Sequence, residues 1–170
     1  MSNREVGRRA KIKYASSNPV DNEQANMIYT IISTDWQRDK ASLSDIREQV
    51  FIQEQQVPVA DEWDNHDETA THFLVRNQKG KAIACARLLL EKNSFHIGRV
   101  AVLKEYRQQH IGRKLMHYML NWCKNTHPEF SIYLHAQTHR INFYQHMGFV
   151  SRGDIFMDAG IPHIEMWFNQ

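Results

Sequence analysis

Two short segments of this chain combine residue types in a way that could do chemistry. The first is Arg99-Val100-Ala101-Val102-Leu103-Lys104-Glu105-Tyr106-Arg107-Gln108-Gln109-His110-Ile111-Gly112-Arg113-Lys114-Leu115. It reads as an apolar strand, a short polar loop and then an amphipathic helix. The first turn of a helix has N–H groups without intrahelical partners at the positive end of its dipole. Such an end takes phosphate readily, and Arg107, Arg113 and Lys114 add formal positive charge beside it. An ordinary strand–loop–helix with basic surface residues fits these residues equally well. The second segment is Asn142-Phe143-Tyr144-Gln145-His146-Met147-Gly148-Phe149, a short helix pattern with a glycine stop. Alone, this segment reads as a short helix that buries an aromatic, with Tyr144 as a core ring.

The chain around these segments has 170 residues, 42% of them apolar, with a formal net charge of +2. That is enough for one domain with a full core. The mild positive balance suits a small anionic ligand and falls short of a nucleic-acid footprint. The one dense basic run, Arg4, Arg8, Arg9, Lys11 and Lys13, lies in a polar stretch over 1–26 that reads as a solvated tail. Both cysteines, Cys85 and Cys123, fall in apolar patterns and read as small buried hydrophobes. No CxxC or HExxH spacing exists, so no metal is expected. Neither a membrane-spanning stretch nor a signal-peptide core is legible, which makes the cytoplasm the expected location and a membrane partner unexpected.

The elements that must position the two segments follow from periodicity. Strands are expected at Lys11–Tyr14 and Met27–Ser33. Ser42 is a plausible helix cap, with Asp45 three residues on and an apolar face of Ile46, Val50 and Phe51. Pro58 closes that region, and Ala60–Thr69 reads as an acidic loop. Strands follow at His72–Arg76, at Lys81–Leu90 (apolar on both faces and hence central) and at Phe95–Leu103, with Asn77–Gly80 as a hairpin turn. Gly98 marks a bulge or a close backbone approach. A helix over His110–Lys124 buries Ile111, Leu115, Met119 and Trp122. A strand at Ser131–Ala136, a helix at Arg140–Met147 and a hairpin of Ile155–Asp158 with Ile164–Phe168 complete the chain. This order predicts an α+β (mixed α/β) domain over 27–170, a sheet covered by helices.

In this order and spacing the two segments resemble the GNAT superfamily of N-acetyltransferases. That family carries Arg/Gln-x-x-Gly-x-Gly/Ala at a helix start after a strand, and later Tyr-x-x-x-Gly-Phe. Here these are Arg107-Gln108-Gln109-His110-Ile111-Gly112 and Tyr144-Gln145-His146-Met147-Gly148-Phe149. Further stretches resemble the ElaA-like branch: Arg47 to Gln55, Ala86-Arg87-Leu88, Ile97-Gly98-Arg99-Val100, Ala136-Gln137 and Gly160-Ile161-Pro162-His163. One departure stands out, since the family's first glycine is His110. A histidine keeps the backbone N–H, crowds the approach of a phosphate, and could donate from its ring.

The resemblance implies a central mixed sheet of about six to seven strands with helices on both faces. It implies that strands Phe95–Leu103 and Ser131–Ala136 splay, with acetyl-CoA or another acyl-CoA as co-substrate and no metal. Its pantetheine would pair with Val100, Ala101 and Val102. Its phosphates would meet Arg107, Gln108, Gln109, His110, Ile111, Gly112 and Arg113, with Asn142 and Tyr144 completing the cofactor site. The acceptor would be a primary amine of a small molecule or peptide, and the resemblance leaves a homodimer open. Tyr144 would protonate the leaving thiolate. Where many relatives carry an acidic residue on the strand before the phosphate loop, this chain has Arg99, so the base must come from elsewhere. Candidates are Glu54, Asp64, His66, His96, His135 and His163. Glu54 ranks first and His135, on the splayed strand, second. Each also has a bland reading, as a helix-end carboxylate and a hydrogen-bonded strand histidine. A non-catalytic acyl-CoA-binding module is the alternative that the presence of Tyr144 argues against.

Overall fold

The computed structural model describes residues 12–14 and 28–169. The tail expected over 1–26 lies outside them, except for β1 (Ile12–Tyr14), which pairs antiparallel with β2 (Tyr29–Thr34). Asp35 then caps α1 (Trp36–Arg47) by accepting from the Arg38 N–H at 2.9 Å. The helix therefore starts six residues before Ser42, which lies inside it and accepts from Arg76 at 3.0 Å. A kink at Asp39 hid this start from the periodicity: its carboxylate is drawn off to Thr34 and Arg76. α1 runs on as a π-helix, Glu48–Glu54, with Val50 in the core. Pro58 opens the short α2 (Val59–Glu62) where a terminator was expected.

Strands β3 (Thr71–Asn77), β4 (Ala82–Leu90) and β5 (Ser94–Val102) form an antiparallel meander. Helix α3 (Ile111–Thr126) returns the chain to β6 (Ser131–Gln137), parallel to β5. The short α4 (Ile141–Gln145) leads to the hairpin of β7 (Phe149–Asp158) and β8 (Ile161–Phe168), longer at both ends than its apolar pattern suggested. Gly148, at φ +94, makes the turn after α4, where a Cβ would stand 3.2 Å from the Phe168 ring. The sheet order is β1-β2-β3-β4-β5-β6-β8-β7, eight strands among the described residues.

Alternate residues of the central strands feed two cores. Phe73, Val75, Phe95, Ile97, Ile132 and Leu134 pack under α3 residues such as Leu115 and Met119, while Leu74, Cys85 and Ala101 pack under α1 residues such as Leu43 and Ile46. The expected architecture, a mixed sheet with a helix on each face, is the observed one. Trp122, expected in the buried stripe, is half-buried at its edge and meets Phe73 and Phe95 edge-on.

The acidic segment 60–69 is not a solvated loop. Arg47, almost fully buried, donates to Glu62 and, at 2.6 Å, to Asp67. Arg87 of β4 pairs with Asp64 at 2.6 Å and with Asp67 at 3.0 Å. Arg99 of β5 stands 2.9 Å from Glu62 and 3.1 Å from Asp64. These arginines and carboxylates balance in charge, and Trp63 stacks under the Arg47 guanidinium at 4.6 Å. Burial alone would raise Asp64 and Asp67; the hydrogen bonds and charges of Arg87 and Arg47 override it and hold both below the usual carboxylate range. Burial wins at Glu62, which is raised despite Arg47 and Arg99.

Arg47→Met is expected to cost about 3–5 kcal/mol, because it strands buried carboxylates without their partner; urea denaturation measures it. The signs of the shifts also set a pH dependence. The contribution of Asp64 and Asp67 is present above the ordinary carboxylate pKa of about 4 and is lost as pH falls. Glu62 acts in the opposite sense. Stability is therefore expected to fall on acidification below about pH 4, and a rise there would mean that Glu62 dominates the network.

Candidate active site

The parallel pair β5–β6 is joined only from Ser94↔Ser131 to Ile97↔Leu134. Beyond that point the two strands separate. On the other side of β5 the register against β4 jumps from Arg87↔Gly98 to Cys85↔Ala101, so Arg99 and Val100 stand opposite Ala86 alone. This is a β-bulge, with Arg99 left-handed at φ +52. The bulge predicted near Gly98 thus lies one residue later. The gap opens a cavity of about 720 Å³ that runs through the sheet between the diverging strands.

At one end the cavity meets the start of α3. Val100, Ala101, Val102, Arg107, Gln108, His110, Ile111, Gly112 and Arg113, which the family resemblance assigned to a cofactor, all line it. The loop enters the helix through two left-handed residues, Gln108 at φ +63 and His110 at φ +59, the latter being the N-cap. His110 thus holds a conformation that a glycine adopts without cost. The Lys114 N–H reaches back to the His110 carbonyl, which leaves the N–H groups of the preceding helical residues without intrahelical partners. A Cβ on Gly112 would meet Val102 at 3.5 Å and Phe143 at 3.7 Å, ordinary contacts. Packing within the protein therefore does not require glycine there; its absent side chain leaves the cavity wall open. This end has the N–H donors, the open wall and the charge of Arg113 that a pyrophosphate needs.

Two anticipated residues stand apart. Gln109 is turned to the Glu105 carbonyl at 3.2 Å, and Asn142 is exposed, its own carbonyl accepting from His146. Neither side chain is among those lining the cavity. Arg140, which the sequence reading passed over, does line it, and among the described residues it makes no ion pair. Its position carried a signal: it follows β6 as Arg107 follows β5, at the carboxyl ends of the two parallel strands where ligands of open sheets gather.

Tyr144 borders the cavity, its ring edge-on to Phe143 at 5.0 Å and Phe149 at 5.9 Å. Among the described residues its hydroxyl has no hydrogen-bond partner, unlike a tyrosine kept for a core hydrogen bond. Burial pushes its pKa up to about 12, against a small opposing effect of Arg140.

The base candidates separate clearly. Glu54 is held by a two-pronged ion pair from Arg107, at 2.7 and 2.8 Å. The Arg107 hydrogen bonds lower its pKa, so it is a weaker base than a free carboxylate, and the geometry does not favour the base role anticipated for it. Asp64 belongs to the buried network, and His66 is exposed away from the cavity. His96, His135 and His163 all line the cavity. His135 stands 3.6 Å from Glu165, with its ring 4.8 Å from that of His96. His96 stacks on Tyr133, and burial together with the charge of His135 depresses it to about 4. His163 is tied through Nδ1 to the Ile161 carbonyl at 2.8 Å. Asp61 and Asp158 also reach the cavity without an ion pair among the described residues. Among the described residues no group of three or more His, Cys, Asp or Glu could hold a metal ion, and no helix is long and apolar enough to cross a membrane.

The comparisons with known proteins agree with this geometry. A family model described as an acetyltransferase (GNAT) domain matches residues 26–169. The chain is 35% identical over 129 residues to the protein ElaA of Escherichia coli, across 74% of this chain and 84% of that one. The crystal structure of Escherichia coli ElaA superposes with a TM-score of 0.76 at 30% identity, covering 83% of this chain and 99% of that one. An acyl-CoA N-acyltransferase from Pseudomonas aeruginosa superposes with a TM-score of 0.74 at 27% identity, covering 84% and 99%.

The left-handed His110 yields a prediction. His110→Gly is expected to keep cofactor binding and to raise stability by up to about 1 kcal/mol, since the strain relieved exceeds the entropy lost by a small margin. Thermal melting and CoA titration check it together. A loss of affinity beyond about tenfold, roughly 1.4 kcal/mol, would assign the imidazole itself as a phosphate ligand.

Proposed function

The chain belongs to the GNAT acetyltransferase family, and from that premise we propose that it transfers an acetyl or other acyl group from acyl-CoA to a primary amine of a small molecule or peptide, with Tyr144 as the general acid. The observation that carries this reading is the Tyr144 hydroxyl, which borders the cavity between the splayed strands and has no partner among the described residues. In the reaction the amine nitrogen bonds to the thioester carbonyl carbon, the carbon–sulfur bond breaks, the amine loses a proton to a base, and the thiolate takes one from Tyr144.

The chain's own residues divide this work. Backbone groups at Val100–Val102 would hold the pantetheine, and an N–H there would face the carbonyl oxygen as negative charge develops. The first N–H groups of α3, with Arg113 and Arg140, would hold the phosphates. A pKa of about 12 keeps Tyr144 protonated throughout the physiological range, so it is always able to donate. For the amine's proton, His135 is the favoured acceptor. It lies on the strand that lines the gap, and Glu165 can support the charge it would gain. The remaining charges point the same way. Among the described residues, the carboxylates of 60–69 are neutralised by arginines except for Asp61 and Glu68, and Asp61 and Asp158 line the cavity without an ion pair. This supports an acceptor that arrives as a cation.

Tyr144→Phe is expected to lower the single-turnover rate of acyl transfer about 10²–10⁴-fold with CoA affinity nearly unchanged. An unchanged chemical step with a lowered melting temperature would remove Tyr144 from the mechanism. Asp61→Asn with Asp158→Asn is expected to raise KM for cationic amines by about fivefold at low salt, corresponding to roughly 1 kcal/mol, and to leave KM for acetyl-CoA alone. Equal effects on charged and neutral amines would place the acceptor elsewhere.

A further inference from the structure

β5 and β6 are not hydrogen-bonded to each other beyond Ile97 and Leu134. Their open ends are instead fastened to one segment of chain. Arg107, just past β5, donates from Nε to the Val102 carbonyl at 3.0 Å and from both terminal nitrogens to Glu54. Gln137, the last residue of β6, donates to the Gln55 side chain at 2.8 Å. Glu54 and Gln55 are consecutive, and they close a π-helix rooted in the core by the buried Val50. The Gln55 N–H reaches back to the Val50 carbonyl and the Val57 N–H to that of Phe51, so the segment is fixed from behind.

We propose that Glu54 and Gln55 form a tie across the mouth of the cleft, which fixes the separation of the two strands and makes Arg107 a positioning residue whose guanidinium serves the protein, not the phosphates. The proposal rests on the acyl-CoA reading for the use of the cleft and adds to it what sets the cleft's width. Three of the five Arg107 N–H groups are directed to Glu54 and Val102, and its charge is cancelled by the carboxylate it grips. Among the described residues Arg113 and Arg140 are left as the arginines of the cavity wall without an ion pair. The tie also explains why this chain has a π-helix at this point. The wider turn moves Glu54 and Gln55 round relative to an α-helix through Val50, and π-turns recur where a side chain must be redirected.

The test is a charge exchange. Arg107→Glu and Glu54→Arg, singly, are each expected to raise the Kd for CoA and the KM for acetyl-CoA about fivefold, with kcat at saturation changed less, as suits a partly exposed ion pair. The double variant, which restores the pair in reverse, is expected to recover to within about threefold of the parent protein. A double variant as weak as Arg107→Glu alone would overturn the proposal and make the Arg107 charge a phosphate ligand. Gln55→Ala, a mild change that spares the fold, is expected to raise the same constants in the same direction, and no change there would remove Gln55 from the tie. Amide hydrogen exchange of the unliganded protein supplies a readout independent of CoA. Exchange at Val102 and Gln137 is expected to speed up in Glu54→Arg and in Gln55→Ala and to return in the charge-exchanged variant; unchanged exchange would overturn the tie. A parent protein that bound no CoA would defeat the acyltransferase reading, while this exchange measurement would still judge the tie.

Discussion

The site depends on one backbone distortion, the left-handed Arg99 in the middle of β5. Two residues of β5 opposite one of β4 turn the strand away from β6 and open the cavity. The left-handed conformation costs a non-glycine residue about 1–2 kcal/mol, so something must over-determine it. Here the guanidinium of the same residue does so, donating to the Asp61 and Glu62 carbonyls and standing within ion-pair distance of Glu62 and Asp64. Those carboxylates are in turn held by Arg47 from α1 and Arg87 from β4. The bulge, the helix on one face of the sheet and the segment 58–69 are therefore one mechanical unit. Replacing Arg99 by an acidic residue, as many relatives would have it, would remove the cation that anchors the bulge and set a carboxylate against Glu62. The missing acidic base and the arginine network are two aspects of one choice.

The same network arranges charge along the cavity. Three arginines and three carboxylates on the α1 side cancel, so their local field is small in spite of their number. Arg107 is cancelled by Glu54. Among the described residues, the cavity lining keeps Arg113, Arg140 and the helix start as positive charge and Asp61 and Asp158 as negative charge without an ion pair. A cleft that carries both signs can accept an anion and a cation together, and its low-dielectric walls lengthen the reach of each charge.

The parts legible in the sequence were those whose cause is local. Apolar runs and turn residues gave β3, β4 and β5, and a strand leading straight into an amphipathic helix gave the junction of β5 and α3 that borders the cavity. What was not legible depends on partners distant in the chain. Asp61, Glu62, Asp64 and Asp67 look like a solvated acidic loop until Arg47, Arg87 and Arg99 are brought to them. Glu54 looks like an available base until Arg107, more than fifty residues on, closes on it. The true start of α1 was masked by the kink at Asp39, and nothing in a hydrophobic pattern announces a π-helix, whose extra residue per turn blurs the very periodicity used to find helices.

The proposed acid and base can be weighed from their surroundings, since an acid–base pair works when its environments push the two pKa values apart. Tyr144 sits in a wall of rings and among the described residues makes no hydrogen bond, so burial outweighs the charge of Arg140 and raises it to about 12. Raised that far, it gives up its proton only to a group that gains basicity as the carbon–sulfur bond breaks, and it resists ionisation beforehand. Elsewhere on the cavity lining, burial and the neighbouring His135 depress His96 to about 4, which keeps that ring neutral. A neutral His96 puts no second positive charge beside His135, while Glu165 on the adjacent strand offers a negative one. On the proposed mechanism His135 takes the amine's proton and Tyr144 supplies the thiolate's, so the two transfers use different groups of the cavity lining and neither group has to serve both.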